Sequence, residues 1–170
     1  MNAIVMCDRL CGIGYQGEQS LYLKNDLKRF RELTTNNIII YGRKTLETFP
    51  EKKPLPNRIN IILSNSVELQ KQYPDEVYSD ITTAAIDAII KANISHCNIF
   101  VIGGESIFNQ FKDYIDTVYM TRVDTVFQDC DKYFKVFECN PFEITHCEEM
   151  NDYDVNGNEY HTEFQIYHKI

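Results

Sequence analysis

The sequence predicts an α/β fold: a central, mostly parallel sheet with an antiparallel C-terminal hairpin and flanking helices. Short β-branched runs alternate with helical stretches as far as Ile115, the pattern of strands joined by helical crossovers. Beyond Ile115 the pattern is strands alone, and Asn156-Gly157 between the last two suits a tight hairpin turn. A chain of 170 residues suits one domain over residues 1–170, long enough to bury a sizeable core.

The elements follow in order. Ala3 to Cys7 reads as the first strand, and Cys11 to Lys24 as the one long irregular segment; loops of that length are more often functional than idle. A helix is expected over Asn25 to Thr34, a strand over Asn37 to Tyr41, a helix over Lys44 to Thr48 and strands at Arg58 to Leu63 and Val77 to Tyr78. Thr82 to Ala92 reads as a helix that Asp80 caps, with Ile86, Ile89 and Ile90 as its core stripe. Asn98 to Ile102 is a strand and Glu105 to Phe111 a helix. The closing strands are Thr117 to Val123, Phe142 to Glu149 and Glu159 to Tyr167.

Asp26 stands out. At 100° per residue it shares a helix face with Leu27, Phe30 and Leu33, while Lys28, Arg31 and Glu32 point away. A buried carboxylate must take up a proton or meet a partner, and a planar cationic or amidine-like ligand would serve. The plainer alternative is a helix N-cap.

A net charge of -8 argues against general nucleic-acid binding, so any anionic ligand needs locally placed Arg, Lys and backbone amides. Six cysteines, scattered without short paired spacing, read as free thiols in a reducing compartment, with no metal motif. The first residues lack a charged leader, and no run approaches the roughly 18 apolar residues of a membrane span. The expectation is a cytoplasmic protein, or one of host cytoplasm if the source is viral. No further catalytic domain is expected after Ile170.

Three strand ends suit phosphate. Gly42-Arg43-Lys44-Thr45 places backbone amides at a helix start beside two cations and a hydroxyl. Gly103-Gly104-Glu105-Ser106 allows close approach where any side chain would clash, and Ser64-Asn65 ends a third strand with polar donors. Three such ends in one sheet suggest a dinucleotide across its edge, although the Rossmann triple-glycine spacing is absent.

Together these stretches resemble dihydrofolate reductase. The resemblance rests on Ile4-Val5 with Gly12-Ile13-Gly14, Asn25-Asp26-Leu27 with Phe30 and Thr34, and Gly42-Arg43-Lys44-Thr45. It continues through Pro54-Leu55-Pro56-Asn57-Arg58, Val101-Ile102-Gly103-Gly104, Tyr119-Met120-Thr121 and Cys130-Asp131, so it covers essentially the whole chain. It implies an eight-stranded sheet, NADPH as hydride donor and 7,8-dihydrofolate as acceptor. Asp26 would bind the pterin's amino group and adjacent ring nitrogen, and Thr121 would hydrogen-bond Asp26 and help hold a water. Ile4, Val5 and Ile102 would line the ring through backbone groups; Leu27, Phe30, Phe49 and Leu55 would enclose the pterin and benzoyl portions. Arg58 would grip the glutamate α-carboxylate.

On the cofactor side the resemblance implies a cis peptide between Gly103 and Gly104, beside the pyrophosphate and nicotinamide. Arg43, Lys44, Thr45 and Ser64 would surround the phosphates and adenosine, with Arg43 and Ser64 selecting the 2′-phosphate. Met6, Ile13, Gly42, Leu63, Asn65, Glu105, Ser106, Ile107 and Phe108 would complete the cofactor wall. Antifolates such as methotrexate or trimethoprim are implied ligands, and a monomer is expected. The chain departs from the family at Leu21, where tryptophan is usual, at Met6, where alanine is typical, and at Phe108, where tyrosine is common. Two rivals share parts of the pattern: a riboflavin-pathway reductase, which needs neither Asp26 nor Arg58 in place, and a non-enzymatic folate- or nucleotide-binding module.

Overall fold

The computed structural model describes residues 1–170. The chain runs β1 (Asn2–Cys7), β2 (Gly12–Tyr15), β3 (Glu18–Gln19), α1 (Lys24–Thr34), β4 (Ile38–Gly42), α2 (Arg43–Thr48), β5 (Ile59–Leu63) and α3 (Val67–Gln72). It continues through β6 (Val77–Tyr78), α4 (Ile81–Ser95), β7 (Ile99–Gly103), α5 (Glu105–Phe111), β8 (Thr117–Val123), β9 (Lys132–Tyr133), β10 (Phe142–Tyr153) and β11 (Glu159–Lys169).

Eight strands form one sheet in the order β10, β11, β8, β1, β7, β4, β5, β6. Pairing is parallel from β8 across to β6, and antiparallel where β11 joins β8 and β10 joins β11. The central strands are covered on both faces, which is why Ile38, Ile39, Ile40 and Tyr41 form an unbroken buried run. Alternate residues serve opposite layers. Ala3, Val5, Cys7, Ile38, Ile40, Ile61 and Val101 pack with α4 and α5, while Ile4, Ile39, Tyr41, Ile62 and Phe100 pack with Leu46 of α2 and Phe30 and Leu33 of α1.

Three expectations need correction. The stripe Ile86, Ile89 and Ile90 faces solvent, at 54%, 43% and 50% exposure, whereas Ala84, Ala85 and Ala88 are buried. Ile38, Ile40, Ile61 and Val101 already fill the layer under α4, so only the alanine face fits at close-packed density. The segment from Cys11 to Lys24 is not irregular throughout: β2 and β3 form a small sheet with the equally unexpected β9. A cage of hydrogen bonds builds it, in which the buried Asp8 carboxylate accepts from the amides of Leu10, Gly12 and Phe127, each at 2.8 Å.

The last hairpin has no two-residue turn at Asn156-Gly157. Tyr153 pairs with Glu159, leaving a five-residue loop in which the Asp154 carboxylate accepts from the amides of Asn156 and Asn158. Gly157 supplies the left-handed conformation there, φ 83°. Asp80 does cap α4, accepting from the Thr83 amide at 2.7 Å.

Candidate active site

The carboxyl ends of β1, β4, β5 and β7 border a cleft of about 1210 Å³ that α1 and α2 also line. Every site residue expected from the sequence lines it except Gly103 and Thr121. Those two lie immediately beneath its wall, both buried.

Asp26 lies in the first turn of α1, and it does not cap the helix. The N-cap position is Leu23, which has no capping side chain. The cap comes from across the molecule: the Asp152 carboxylate on β10, 1% exposed, accepts from the amides of Asn25 at 2.9 Å and Asp26 at 3.0 Å. A carboxylate at that end also matches the helix dipole. With its amide thus engaged, the half-buried Asp26 side chain faces the cleft.

Desolvation pushes the Asp26 carboxyl above its ordinary value. The Thr121 hydroxyl and the Arg29 guanidinium oppose that rise, and the like charge of Asp152 adds to it. Thr121 sits on β8, opposite Met6 of β1 on one side and Phe164 of β11 on the other, so three neighbouring strands fix it.

Beyond Asp26 the cleft wall turns apolar. Leu27 is 40% exposed along it, an arrangement a plain core leucine does not show. Phe30, Phe49, Leu55 and Ile102 continue the wall, and Phe49 is held by an edge contact to the Tyr41 ring at 5.0 Å. At the far end Arg58 is braced by the protein: Nε donates to Thr34 Oγ1 at 3.2 Å and Nη1 donates to the Pro56 carbonyl at 2.8 Å. Burial and the neighbouring Arg31 both lower its pKa, the signature of a cationic end that lacks an anion. Arg31 lines the cleft rather than pointing away, contrary to the helical-face expectation.

On the opposite side, α2 starts at Gly42 with no side-chain cap, which leaves the amides of Arg43, Lys44 and Thr45 without helical partners. A Cβ at Gly42 would meet Ile107 at 3.1 Å. Ser64 Oγ accepts from the Ser66 amide at 3.1 Å and keeps its own proton to donate. The Gly103-Gly104 peptide is cis, and at Gly103, φ 112°, a Cβ would strike the Phe108 ring at 2.9 Å. A Cβ at Gly104 would meet nothing within 4 Å, because it would project into the cleft. The bare glycine, the free amides and the Arg43, Lys44, Ser64 donor set fit a dinucleotide's phosphates.

Several lining residues escaped the sequence reading: Gly14, Gly17, Glu18, Gln19, Tyr22, Ser66, Ser79 and Lys132. Most belong to the flap of β2 and β3 or to its partner β9. The flap is anchored across the cleft mouth by the Asp131 amide to the Gly14 carbonyl at 3.0 Å and the Gln16 amide to the Asp131 carboxylate at 3.4 Å. One signal was present: a Cβ at Gly14 would lie 2.6 Å from the Glu18 carbonyl oxygen, so the flap hairpin needs glycine there.

Comparison with known proteins agrees with this geometry. The family profile described as "Dihydrofolate reductase" matches residues 1–169. The bifunctional dihydrofolate reductase-thymidylate synthase of Paramecium tetraurelia is 37% identical over 150 residues, 84% of this chain but only 31% of that protein. Dihydrofolate reductase type 9 of Escherichia coli is 32% identical over 125 residues, covering 72% of this chain and 70% of its own. The Bacillus subtilis dihydrofolate reductase is 30% identical over 161 residues, covering 92% and 87%. Among solved structures, dihydrofolate reductase from Enterococcus faecalis, in complex with NADP(H) and RAB-propyl, superposes with a TM-score of 0.75 at 26% identity, covering 99% and 95% of the two chains. With the whole chain matched, the eight-stranded architecture shared and the strand-end cleft in place, the protein belongs to the dihydrofolate reductase family, whose reaction is NADPH-dependent reduction of dihydrofolate.

Proposed function

We propose that residues 1–170 form one reductase domain whose cleft reduces 7,8-dihydrofolate to 5,6,7,8-tetrahydrofolate through the residues named above. The observation that carries the reading is Asp26, a half-buried carboxylate facing a cleft with no cation within ion-pair distance. The pterin edge, with an amino group beside a ring N–H, supplies the two donors such a carboxylate lacks. Leu27, Phe30, Phe49, Leu55 and Ile102 hold the ring and benzoyl portions by burial, and Ile4 and Val5 close the floor. Arg58, with Arg31 beside it, receives the glutamate α-carboxylate.

NADPH, when bound, supplies the hydride to the imine carbon. Gly42, Arg43, Lys44, Thr45, Ser64 and Asn65 would hold its phosphates and adenosine, and Gly103, Gly104, Glu105, Ser106, Ile107 and Phe108 its pyrophosphate and nicotinamide side, with Met6, Ile13 and Leu63 completing the wall. An imine accepts hydride poorly until it is protonated, so the protein's chemical task is orientation together with support for that proton. Asp26 and Thr121 provide the support by holding the pterin edge and a relay water next to the ring nitrogen.

Dihydrofolate-dependent oxidation of NADPH by the purified protein tests the reading. Robust turnover is expected; nucleotide and folate binding without oxidation would establish a binding module instead. A pyrimidine substrate of the riboflavin pathway reduced in preference to dihydrofolate would establish the other rival. On this reading the chain is a cytoplasmic monomer that also binds antifolates such as methotrexate or trimethoprim through Asp26. Light scattering across a concentration series checks the monomer, and a stable dimer would overturn it. No helix is long and apolar enough to cross a membrane.

A further inference from the structure

Arg29 has an unusual position for a cation. It follows Asp26 by three residues on α1, so the two side chains lie on neighbouring parts of the helix surface. It is half-buried and takes part in none of the chain's ion pairs within 4.0 Å. Its guanidinium carbon lies 3.8 Å from the centroid of the Phe164 ring on β11, a cation–π contact that holds the group over the ring face. From there Nη2 reaches Met150 Sδ at 3.7 Å and Nη1 reaches Thr121 Oγ1 at 3.5 Å. Arg29 does not line the cleft.

The direction of the Thr121 contact matters. A guanidinium only donates, so Thr121 Oγ1 is the acceptor on that side. The hydroxyl proton is then free to point the other way, toward Asp26, whose carboxyl the Thr121 hydroxyl holds down against the rise from burial. We propose that Arg29 is a positioning residue for the reduction: clamped on Phe164, it turns the Thr121 hydroxyl toward Asp26 and places a positive charge behind the carboxylate that receives the pterin edge.

The charged groups facing Asp26 are few. On its own helix there is Arg29, and on β10 there is Asp152, whose oxygens are occupied by the α1 amides. β8 contributes the neutral Thr121 hydroxyl and β11 the uncharged Phe164 ring. Arg29 is therefore the one cation that offsets both the burial of Asp26 and the nearby Asp152 charge. The inference rests on Asp26 being the ionising group of the cleft, and the test separates the two.

The measurement is the pH profile of kcat/KM for dihydrofolate, which reports ionisations of the free enzyme. It is recorded for the wild type, Arg29→Met, Asp26→Asn and the double variant. Methionine keeps an unbranched chain against Phe164 and removes the charge and the donors. Arg29→Met should move the Asp26 ionisation upward by about one pH unit. Arg29→Lys, which keeps the charge without the planar fork, should recover most of that shift. In Asp26→Asn the ionisation should vanish, and adding Arg29→Met should move nothing further.

An Arg29→Met profile that falls in rate without moving along the pH axis would reduce Arg29 to a packing residue and overturn the proposal alone. An ionisation that survives in Asp26→Asn would overturn both readings. Should the methionine protein fail to fold by thermal melt, Arg29→Gln gives the same readout with a neutral donor left for Thr121.

Discussion

Removing the Arg58 guanidinium is the sharpest test of the folate tail, because the structure predicts both what is lost and what is kept. Nε and one Nη1 hydrogen are committed to Thr34 and Pro56, which leaves the Nη2 hydrogens and the second Nη1 hydrogen directed away from those braces. A carboxylate can take two of them side by side, a charge-assisted pair. Losing it should cost about 1.5–3 kcal/mol of dihydrofolate affinity, roughly tenfold to somewhat over a hundredfold. Arg31 remains as a second cation, so Arg58→Leu should fall in the lower half of that range. The lost braces cost stability separately, about 1 kcal/mol each, and a thermal melt reads that term. The deciding assay compares dihydrofolate with a dihydropterin that lacks the benzoylglutamate. Affinity for dihydrofolate should collapse while the truncated substrate is reduced equally well by both proteins. Equal losses on both would make Arg58 a purely structural residue and refute the clamp.

Asp26→Asn should lower turnover by roughly a hundredfold or more at neutral pH, and wild-type rates in the variant would sink the catalytic assignment. The same substitution should raise the stability of the ligand-free protein by about 0.5–2 kcal/mol at neutral pH. The sign follows from the raised Asp26 pKa: the folded state holds its proton more tightly than the unfolded chain, so the wild type is penalised above the folded pKa. That penalty disappears as pH falls through the folded pKa toward the unfolded value, and denaturant melts at several pH values should show the two proteins converging there. Arg43→Ala should raise KM for NADPH and leave that for NADH nearly unchanged, since only NADPH loses a charge-assisted contact; a matched rise would move the 2′-phosphate site elsewhere. Its exposed pair with Glu47 at 3.3 Å adds little stability, so Tm should hardly change. Gly104→Val should raise KM for NADPH with Tm retained, because its side chain enters the open cleft; a Tm loss comparable to that of Gly103→Ala, which strikes Phe108, would contradict the cradle.

The sheet was legible wherever burial on both faces forces a strand to be apolar throughout. Ile38 to Tyr41 announces itself because both of its faces are buried, while Thr117 to Val123 shows through its β-branched residues even though Thr117, Thr121 and Arg122 break its apolar run. Where packing depends on the partner's volume, local pattern fails. The isoleucines of α4 outweigh its alanines on any hydropathy count, yet the alanines face the sheet, because the room left above Ile38, Ile40 and Ile61 decides the matter. The flap strands fail for a related reason. β3 and β9 are two residues each, and their geometry is set by Asp8 and Asp131, whose partners lie up to 119 residues away.

The site divides the same way. Glycines and cations at strand ends mark the cofactor side, because backbone conformation and phosphate chemistry both restrict residue type within four or five consecutive positions. The environment of Asp26 carries no such local mark. A start signal for α1 is missing from the residues around Leu23, since the cap is Asp152, 127 residues from Asn25. Placing a second buried carboxylate there fixes the helix start but pushes the Asp26 pKa further up. A cleft that needs Asp26 ionised must offset that push. The cation that does so is also nonlocal in its support: Arg29 reads as one more charge on a solvated helix face until β11 folds Phe164 beneath it. The carboxylate that binds substrate is thus visible in the sequence, while the two charges that set its protonation become visible only when the last hairpin closes against α1.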